Sequence, residues 1–225
     1  MTATPSRPLA TLPNTPPDRN EPTVHLLARA IGHLASLRVW LASAIVFAVF
    51  AVAFFATPAP FAVRTVVSLC GQAPPDVRFT SSAAEVGAFL TGCGTAGRAA
   101  YRWMQVADLF YPLVFGLFMA SSLALLISRL VPGRRSLLAL AALPLVASAF
   151  DYLENACAWI ALAAFPDTAP TTSLLGLASA AKTTTSWAAG ILLLGALAAL
   201  TVGTVRRRAL TRRLRASGDH TGGVG

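Results

Sequence analysis

The chain has 225 residues, of which 55% are hydrophobic and only 12% are charged. Soluble domains carry about 25% charged residues, so this composition excludes a soluble enzyme, a disordered chain and a collagen-like fibre. Eighteen basic residues against nine acidic ones give a net charge of +9. Because the hydrophobic runs described below require a membrane, we assign this charge to phosphates of a membrane surface and predict no nucleic-acid partner.

Four segments are long and apolar enough to cross a bilayer, whose hydrocarbon core requires a helix of roughly 20 residues. Prolines or arginines follow each segment, and they end a membrane helix or anchor it at the surface. The predicted spans are residues 39–57, 104–130, 137–165 and 172–205, with a long external loop over 58–103. The sequence therefore predicts an all-α integral membrane protein whose membrane domain, 39–205, is a four-helix bundle.

The distribution of arginine predicts the orientation, because segments rich in Arg and Lys stay in the cytoplasm. Thirteen arginines lie before the first span, around the turn between the second and third spans, or in the C-terminal tail, whereas four lie in the predicted external loop. Both chain ends are therefore predicted to be cytoplasmic. Seventeen of the eighteen basic residues are arginine, which is typical of a GC-rich bacterial genome and indicates the bacterial inner membrane.

Three segments outside the membrane domain have distinct compositions. Residues 1–22 are rich in proline without an apolar period, which predicts a disordered cytoplasmic tail. Residues 23–38 predict an amphipathic basic helix that either lies on anionic lipid or extends the first span. Residues 206–225 begin with a cluster of arginines, which we expect to bind anionic lipid. No aromatic residues alternate with these arginines, as a nucleic-acid site would require.

The external loop contains a helix signal and a pair of cysteines. Ser82, followed three residues later by Glu85, forms a capping box that predicts the start of a short helix. Cys70 and Cys93 lie on the side of the membrane where disulfides form. They form a disulfide if the loop is oxidised, and stay two free thiols if it faces a reducing compartment.

Ionisable residues inside the predicted spans form the candidate site, and there are four of them: Asp108, Asp151, Glu154 and Lys182. Each costs about 2.5–3.5 kcal/mol on membrane insertion and therefore requires a structural or functional explanation. Glu154 and Lys182 lie at similar depths, roughly 15 Å from the external ends of their spans, so we expect them to meet. Asp108 lies nearer to the external opening. Three carboxylates against one lysine leave a surplus of negative charge.

Further polar residues extend these positions into helical stripes on the second, third and fourth spans. The stripes supply six binding candidates: Tyr101, Gln105, Ser148, Asn155, Ser179 and Ser186. Arg102 is a seventh candidate, which we expect at the external mouth, where it can neutralise a carboxylate. Three spans with one polar stripe each predict three walls of one interior site.

Three classes of function fit this pattern. An intramembrane enzyme on a lipid-like or apolar substrate would use Glu154 as acid and base, Asp151 or Asp108 as its partner, and Lys182 to stabilise negative charge. In a metal-dependent form, Asp108, Asp151 and Glu154 would bind a hard cation through oxygen. A proton- or cation-coupled transporter with only four spans would have to act as a homo-oligomer. The sequence assigns no cofactor.

The third class is a non-catalytic membrane subunit or scaffold, in which polar stripes hold the helices together. A tightly packed and fully paired contact between Glu154 and Lys182 would favour this class. A cavity that opens outward around Glu154 would favour an enzyme or a transporter instead.

Overall fold

The computed structural model describes residues 21–167 and 171–219, and every regular element within these ranges is helical. Two 3-10 segments, Pro75–Val77 and Arg135–Ala142, precede the fourth and seventh helices. In chain order, the helices are α1 (Glu21–Gly32), α2 (Leu37–Ala51, continued by a π-helical turn Val52–Ala56), α3 (Val63–Cys70), α4 (Ala83–Gly92), α5 (Gly94–Ala107), α6 (Tyr111–Leu130), α7 (Leu143–Ala164) and α8 (Thr171–Asp219).

Four helical segments are long and apolar enough to cross a membrane: Leu37–Ala56, Gly94–Leu130, Ser136–Ala164 and Ser173–Thr211. They overlap the four predicted spans, so the all-helical prediction with four apolar helices is confirmed.

The predicted loop 58–103 is too long, because α5 already begins at Gly94. This helix is amphipathic, and its polar face conceals it from a search for continuous apolar runs. Past residue 205, α8 continues through the arginine cluster, since arginine is a good helix former.

The separate helix α1 decides between the two alternatives for residues 23–38. It ends at Gly32, and α2 begins after a turn, where the Ser36 hydroxyl accepts a hydrogen bond from the Val39 N–H at 3.2 Å. Ile31 is buried against the end of α6 and the segment before α7. Thus α1 does not extend α2, and part of its apolar face packs on the bundle itself. Contact between α1 and lipid stays a prediction, and the tail 1–20 lies outside the described residues.

Helix α6 lies at the centre of the bundle and packs against α2, α7 and α8, while α7 and α8 form the most extensive helix pair. The two ends of the bundle differ in chemistry. We call the end that holds Cys70 and Cys93 the disulfide end. The opposite end, which holds Arg38 in the first turn of α2 and Arg129 in the last turn of α6, is called the arginine-rich end.

Local interactions order the chain that covers the disulfide end. The Cys70–Cys93 disulfide is formed and joins the ends of α3 and α4. The predicted capping box at the start of α4 is confirmed, because Ser82 accepts from the Glu85 N–H at 3.3 Å and its own N–H donates to the Glu85 carboxylate at 2.7 Å. The Ser82 N–H also holds the pKa of Glu85 below its ordinary value.

The segment between α3 and α4 docks directly on α8. Thr80 donates a hydrogen bond from its hydroxyl to the Gly176 carbonyl at 3.1 Å. A Cβ atom at Gly176 would collide with the Ser81 carbonyl, so only glycine permits this approach. The close contact places the Pro75–Val77 turn over the interior of the bundle, beside α7 and α8.

The disulfide closes a loop whose ends are 23 residues apart. We expect the double replacement Cys70→Ser/Cys93→Ser to lower the free energy of unfolding by about 3 kcal/mol, because the cross-link restricts the unfolded chain. Thermal unfolding midpoints in neutral detergent, with and without reductant, measure this loss. Reductant should lower the midpoint of the wild type to that of the double variant and leave the variant unchanged. A fully reduced wild type with an unaltered midpoint would contradict the prediction.

Candidate functional site

Lys182 on α8 lies at the centre of a buried polar cluster. Its ammonium group forms ion pairs with Glu154 and with Asp151, at 3.3 Å from the Asp151 Oδ1. It also donates a hydrogen bond to the Asp76 carbonyl oxygen at 2.8 Å. The predicted contact between Glu154 and Lys182 is therefore present, and the same lysine also binds the turn that covers the disulfide end.

Glu154 is enclosed between α7 and α8, with an exposed fraction of 0%. The Ser179 hydroxyl donates to one of its carboxylate oxygens, and Lys182 donates to the other. No part of Glu154 lines the neighbouring cavity. No cavity surrounds Glu154, because Ser179 and Lys182 occupy the space in front of its carboxylate. A closed and paired contact of this kind favours the scaffold class.

The interruption between α5 and α6 positions Asp108. Pro112 has no N–H, so the Asp108 carbonyl four residues earlier has no partner within the helix. Asn155 on α7 supplies one, donating its side-chain amide to that carbonyl at 3.0 Å. The Tyr152 hydroxyl donates in the same way to the Leu109 carbonyl at 2.9 Å. The side-chain amide of Asn155, a predicted ligand-binding residue, thus donates to the backbone at the interruption between α5 and α6.

Ser148 has a similar structural role on α7, one turn before Tyr152. Its hydroxyl lies 2.6 Å from the Pro112 carbonyl and 3.1 Å from the Pro144 carbonyl, and it is buried. A Cβ atom at Gly116 would collide with this hydroxyl, so the glycine lets α6 and α7 approach closely. The prediction that Ser148 binds a ligand therefore has no support from its position, which is directed at the backbone of α6.

A cavity of about 290 Å³ lies beside Lys182, between the four apolar helices and the Pro75–Val77 turn. This volume fits a small molecule or one end of a larger one. The polar residues that line it are Asp76, Arg78, Asp108, Asp151, Lys182, Thr183 and Ser186. The aromatic ones are Phe54, Phe55, Tyr111, Phe115 and Trp187. Among the predicted site residues, the structure brings Asp108, Asp151, Lys182 and Ser186 to this cavity.

Acidic groups outnumber basic ones in the cluster. Four carboxyl groups, those of Asp76, Asp108, Asp151 and Glu154, are buried around the half-buried Lys182, and Arg78 lies at the cavity wall. Both ion pairs in the described part of the chain use Lys182, so Asp108 has no ion-pair partner there. The Arg78 guanidinium donates instead to the Ala73 carbonyl, at 2.7 Å. Because unpaired buried charge is costly, this cluster must bind protons or a cationic group.

Asp76 is the site residue that the sequence analysis does not identify. It lies in the predicted external loop, yet only 3% of it is exposed, and Gln105 donates to its carboxylate at 2.6 Å. Burial raises the pKa of Asp76 above its ordinary value, and the charge of Lys182 and the Gln105 hydrogen bond only partly oppose this shift. The available signal, an acid after two prolines between apolar segments, is too weak to predict such burial.

The remaining candidates on α5 separate into a buried face and an exposed face. Tyr101 and Gln105 are buried as the stripe predicts, although the Tyr101 hydroxyl has no hydrogen-bond partner among the described residues. Arg102 is exposed beside Trp103 on another surface. The expected position of Arg102 at the mouth of the site is therefore wrong, because one residue along a helix turns the side chain by about 100°.

The geometry gives no support to a metal centre. Within residues 21–167 and 171–219, no three His, Cys, Asp or Glu side chains are grouped so that they could hold a metal ion. The hypothetical set of Asp108, Asp151 and Glu154 is divided, because the oxygens of Glu154 are bound to Ser179 and Lys182.

No protein-family model matches the chain, and neither a curated protein nor a solved structure matches it. The function has to be argued from the chemistry of the site.

Removal of the Lys182 charge tests the role of the cluster in stability. We expect Lys182→Met to cost about 3–5 kcal/mol, because it leaves buried carboxylates without a cation. Glu154→Gln should cost less, since the amide oxygen still accepts a hydrogen bond and Asp151 still pairs with the lysine. The double variant should recover part of the loss from Lys182→Met. Thermal unfolding in lipid nanodiscs measures all three, and a double variant that loses the sum of both single effects would contradict the coupling.

The raised pKa of Asp76 predicts a pH-dependent stability. Above about pH 3.9, the Asp76 carboxyl binds more protons in the folded chain than in the unfolded chain. Its contribution to the free energy of unfolding therefore falls as the pH rises toward its pKa in the folded chain. We expect Asp76→Asn to remove this fall while keeping an acceptor for Gln105. Its unfolding midpoint relative to the wild type should therefore rise between pH 4 and pH 8. The control Asp167→Asn, at an exposed carboxylate, should give a constant difference. A flat or falling difference for Asp76→Asn would overturn the assignment.

Proposed function

We propose that the protein is an intramembrane acid–base enzyme that acts on a lipid-like, largely apolar substrate. The four apolar helices insert in a membrane, with both chain ends on the cytoplasmic side, and arginine usage favours the bacterial inner membrane. The observation that carries the proposal is the composition of the cavity wall, where two carboxyl groups of α5–α7 and a lysine adjoin five aromatic rings.

Asp108 and Asp151, two of the three carboxyl groups on the wall, differ in their surroundings. Asp151 forms an ion pair with Lys182 at 3.3 Å, and we assign it the role of the base. Asp108 is 5% exposed and has no ion-pair partner in the described part of the chain, and we assign it the role of the acid. In acid–base enzymes, two neighbouring carboxyl groups often have different environments.

A double-bond shift is the simplest reaction that this wall supports. Asp108 transfers its proton to one carbon of a substrate alkene, and Asp151 removes a proton from the carbon next to the resulting cation. The electron pair of the broken C–H bond then forms the new double bond, so the substrate is isomerised without loss of atoms. The faces of Phe54, Tyr111 and Trp187 can stabilise the cationic intermediate. Proton exchange returns both carboxyls to their starting forms.

The surplus of carboxyl groups also supports a second candidate, a proton- or cation-coupled transporter. Membrane carboxylates commonly carry protons or bind cationic groups. A carrier with four helices would act as a homo-oligomer, in which the cavity of each copy takes up its substrate from one side of the membrane. The scaffold alternative draws support from Glu154 and Asn155, which are engaged with neighbouring helices, but it does not account for the open wall with Asp108 and Asp151.

Incorporation of deuterium tests the enzyme directly. In D₂O, the acid delivers deuterium to carbon, so membrane lipids incubated with the protein should gain one mass unit per turnover, as read by mass spectrometry. We expect Asp108→Asn and Asp151→Asn to lower the rate by about 100-fold or more, and the exposed control Asp167→Asn to leave it unchanged. Absence of deuterium incorporation, together with proton-driven uptake into vesicles, would favour the transporter; absence of both would favour the scaffold.

A further inference from the structure

A second groove lies at the arginine-rich end of the bundle, between α2, α6 and α8. Its volume is about 390 Å³, and it shares no lining residue with the acidic cavity. Apolar side chains form most of its surface, including Phe118 and Leu126 on α6 and Leu197 and Leu200 on α8. Trp40 on α2 closes one side, and its indole N–H donates to the Ser122 hydroxyl at 3.0 Å, so these two polar groups satisfy each other.

Arg129 is the charged residue at the end of this groove. It follows Ser122 by seven residues and therefore lies on the same face of α6. From Phe118 to Arg129, the groove extends along α6 for roughly 16 Å. Arg129 is exposed and makes no ion pair within the described part of the chain, and the exposed Arg38 follows Leu37, which lines the groove at the start of α2. The groove is therefore apolar along α6 and ends at the guanidinium group of Arg129.

We propose that this groove binds one anionic phospholipid, with an acyl chain along Phe118, Leu126 and Leu197 and the phosphate at Arg129. The apolar walls match a hydrocarbon chain, and a guanidinium group pairs with phosphate through two parallel hydrogen bonds. A choline headgroup would instead bring positive charge toward the arginines. The site is distinct from the arginine cluster at the end of α8, and it depends on membrane insertion but not on the acid–base reaction.

Binding of defined lipids to the purified protein in neutral detergent tests the site. Phosphatidylglycerol and phosphatidylcholine with identical acyl chains are titrated separately, and native mass spectrometry counts the bound molecules. We expect the wild type to bind one phosphatidylglycerol about tenfold more tightly than phosphatidylcholine. Arg129→Gln should abolish this preference. The matched control Arg64→Gln, at an exposed arginine of the disulfide end, should preserve it.

A second variant keeps the proposal testable if Arg129→Gln does not fold. Leu126→Trp leaves Arg129 in place and fills the groove, so it should weaken the binding of both lipids. Equal affinity of the wild type for the two lipids, or an unchanged preference in Arg129→Gln, would overturn the site. An equal loss in Arg64→Gln would show a general charge effect and overturn it as well. A dimer that excludes lipid from the groove would make a second copy of the chain the occupant.

Discussion

One buried ammonium group joins three parts of this protein that are distant in sequence. Lys182 extends from α8 to two carboxylates of α7 and to the backbone carbonyl of Asp76 in the turn above them. A buried ion loses several kcal/mol of hydration free energy, and it needs several well-placed partners to offset that loss. The position of the turn, the pairing of α7 with α8 and the shape of the cavity therefore all depend on this side chain.

The polar residues of the bundle divide into two groups with different tasks. Ser148, Tyr152 and Asn155 contact the backbone around Pro112, where the missing N–H leaves a carbonyl that apolar surroundings cannot satisfy. Asp108 and Asp151 instead lie on the cavity wall. The first group stabilises the interruption of the helix, and that interruption in turn holds Asp108 at the cavity. Structural polar contacts thus support the chemistry rather than compete with it.

The composition of the cavity wall is the main argument for our proposal over a scaffold role. Polar contacts between membrane helices contribute about 0.6 kcal/mol each, and such contacts require balanced donors and acceptors. A surplus of carboxyl groups beside an accessible, aromatic-lined space gives no such balance. The cost of burying these acids is understandable if they bind protons or ligands, since packing alone gains nothing from Asp108, which has no ion-pair partner in the described part of the chain.

Local patterns in the sequence are enough to predict the four apolar helices, the capping box at Ser82 and the shared face of Asp151 and Glu154. Length, hydrophobicity and helical period are local properties, so they can be evaluated without the fold. Packing between distant segments brings Asp76 into the cluster, shields Glu154 from the cavity and leaves Arg102 exposed on another surface. Periodicity determines which residues share a face, but the direction of that face and the docking of an irregular loop depend on contacts between distant segments.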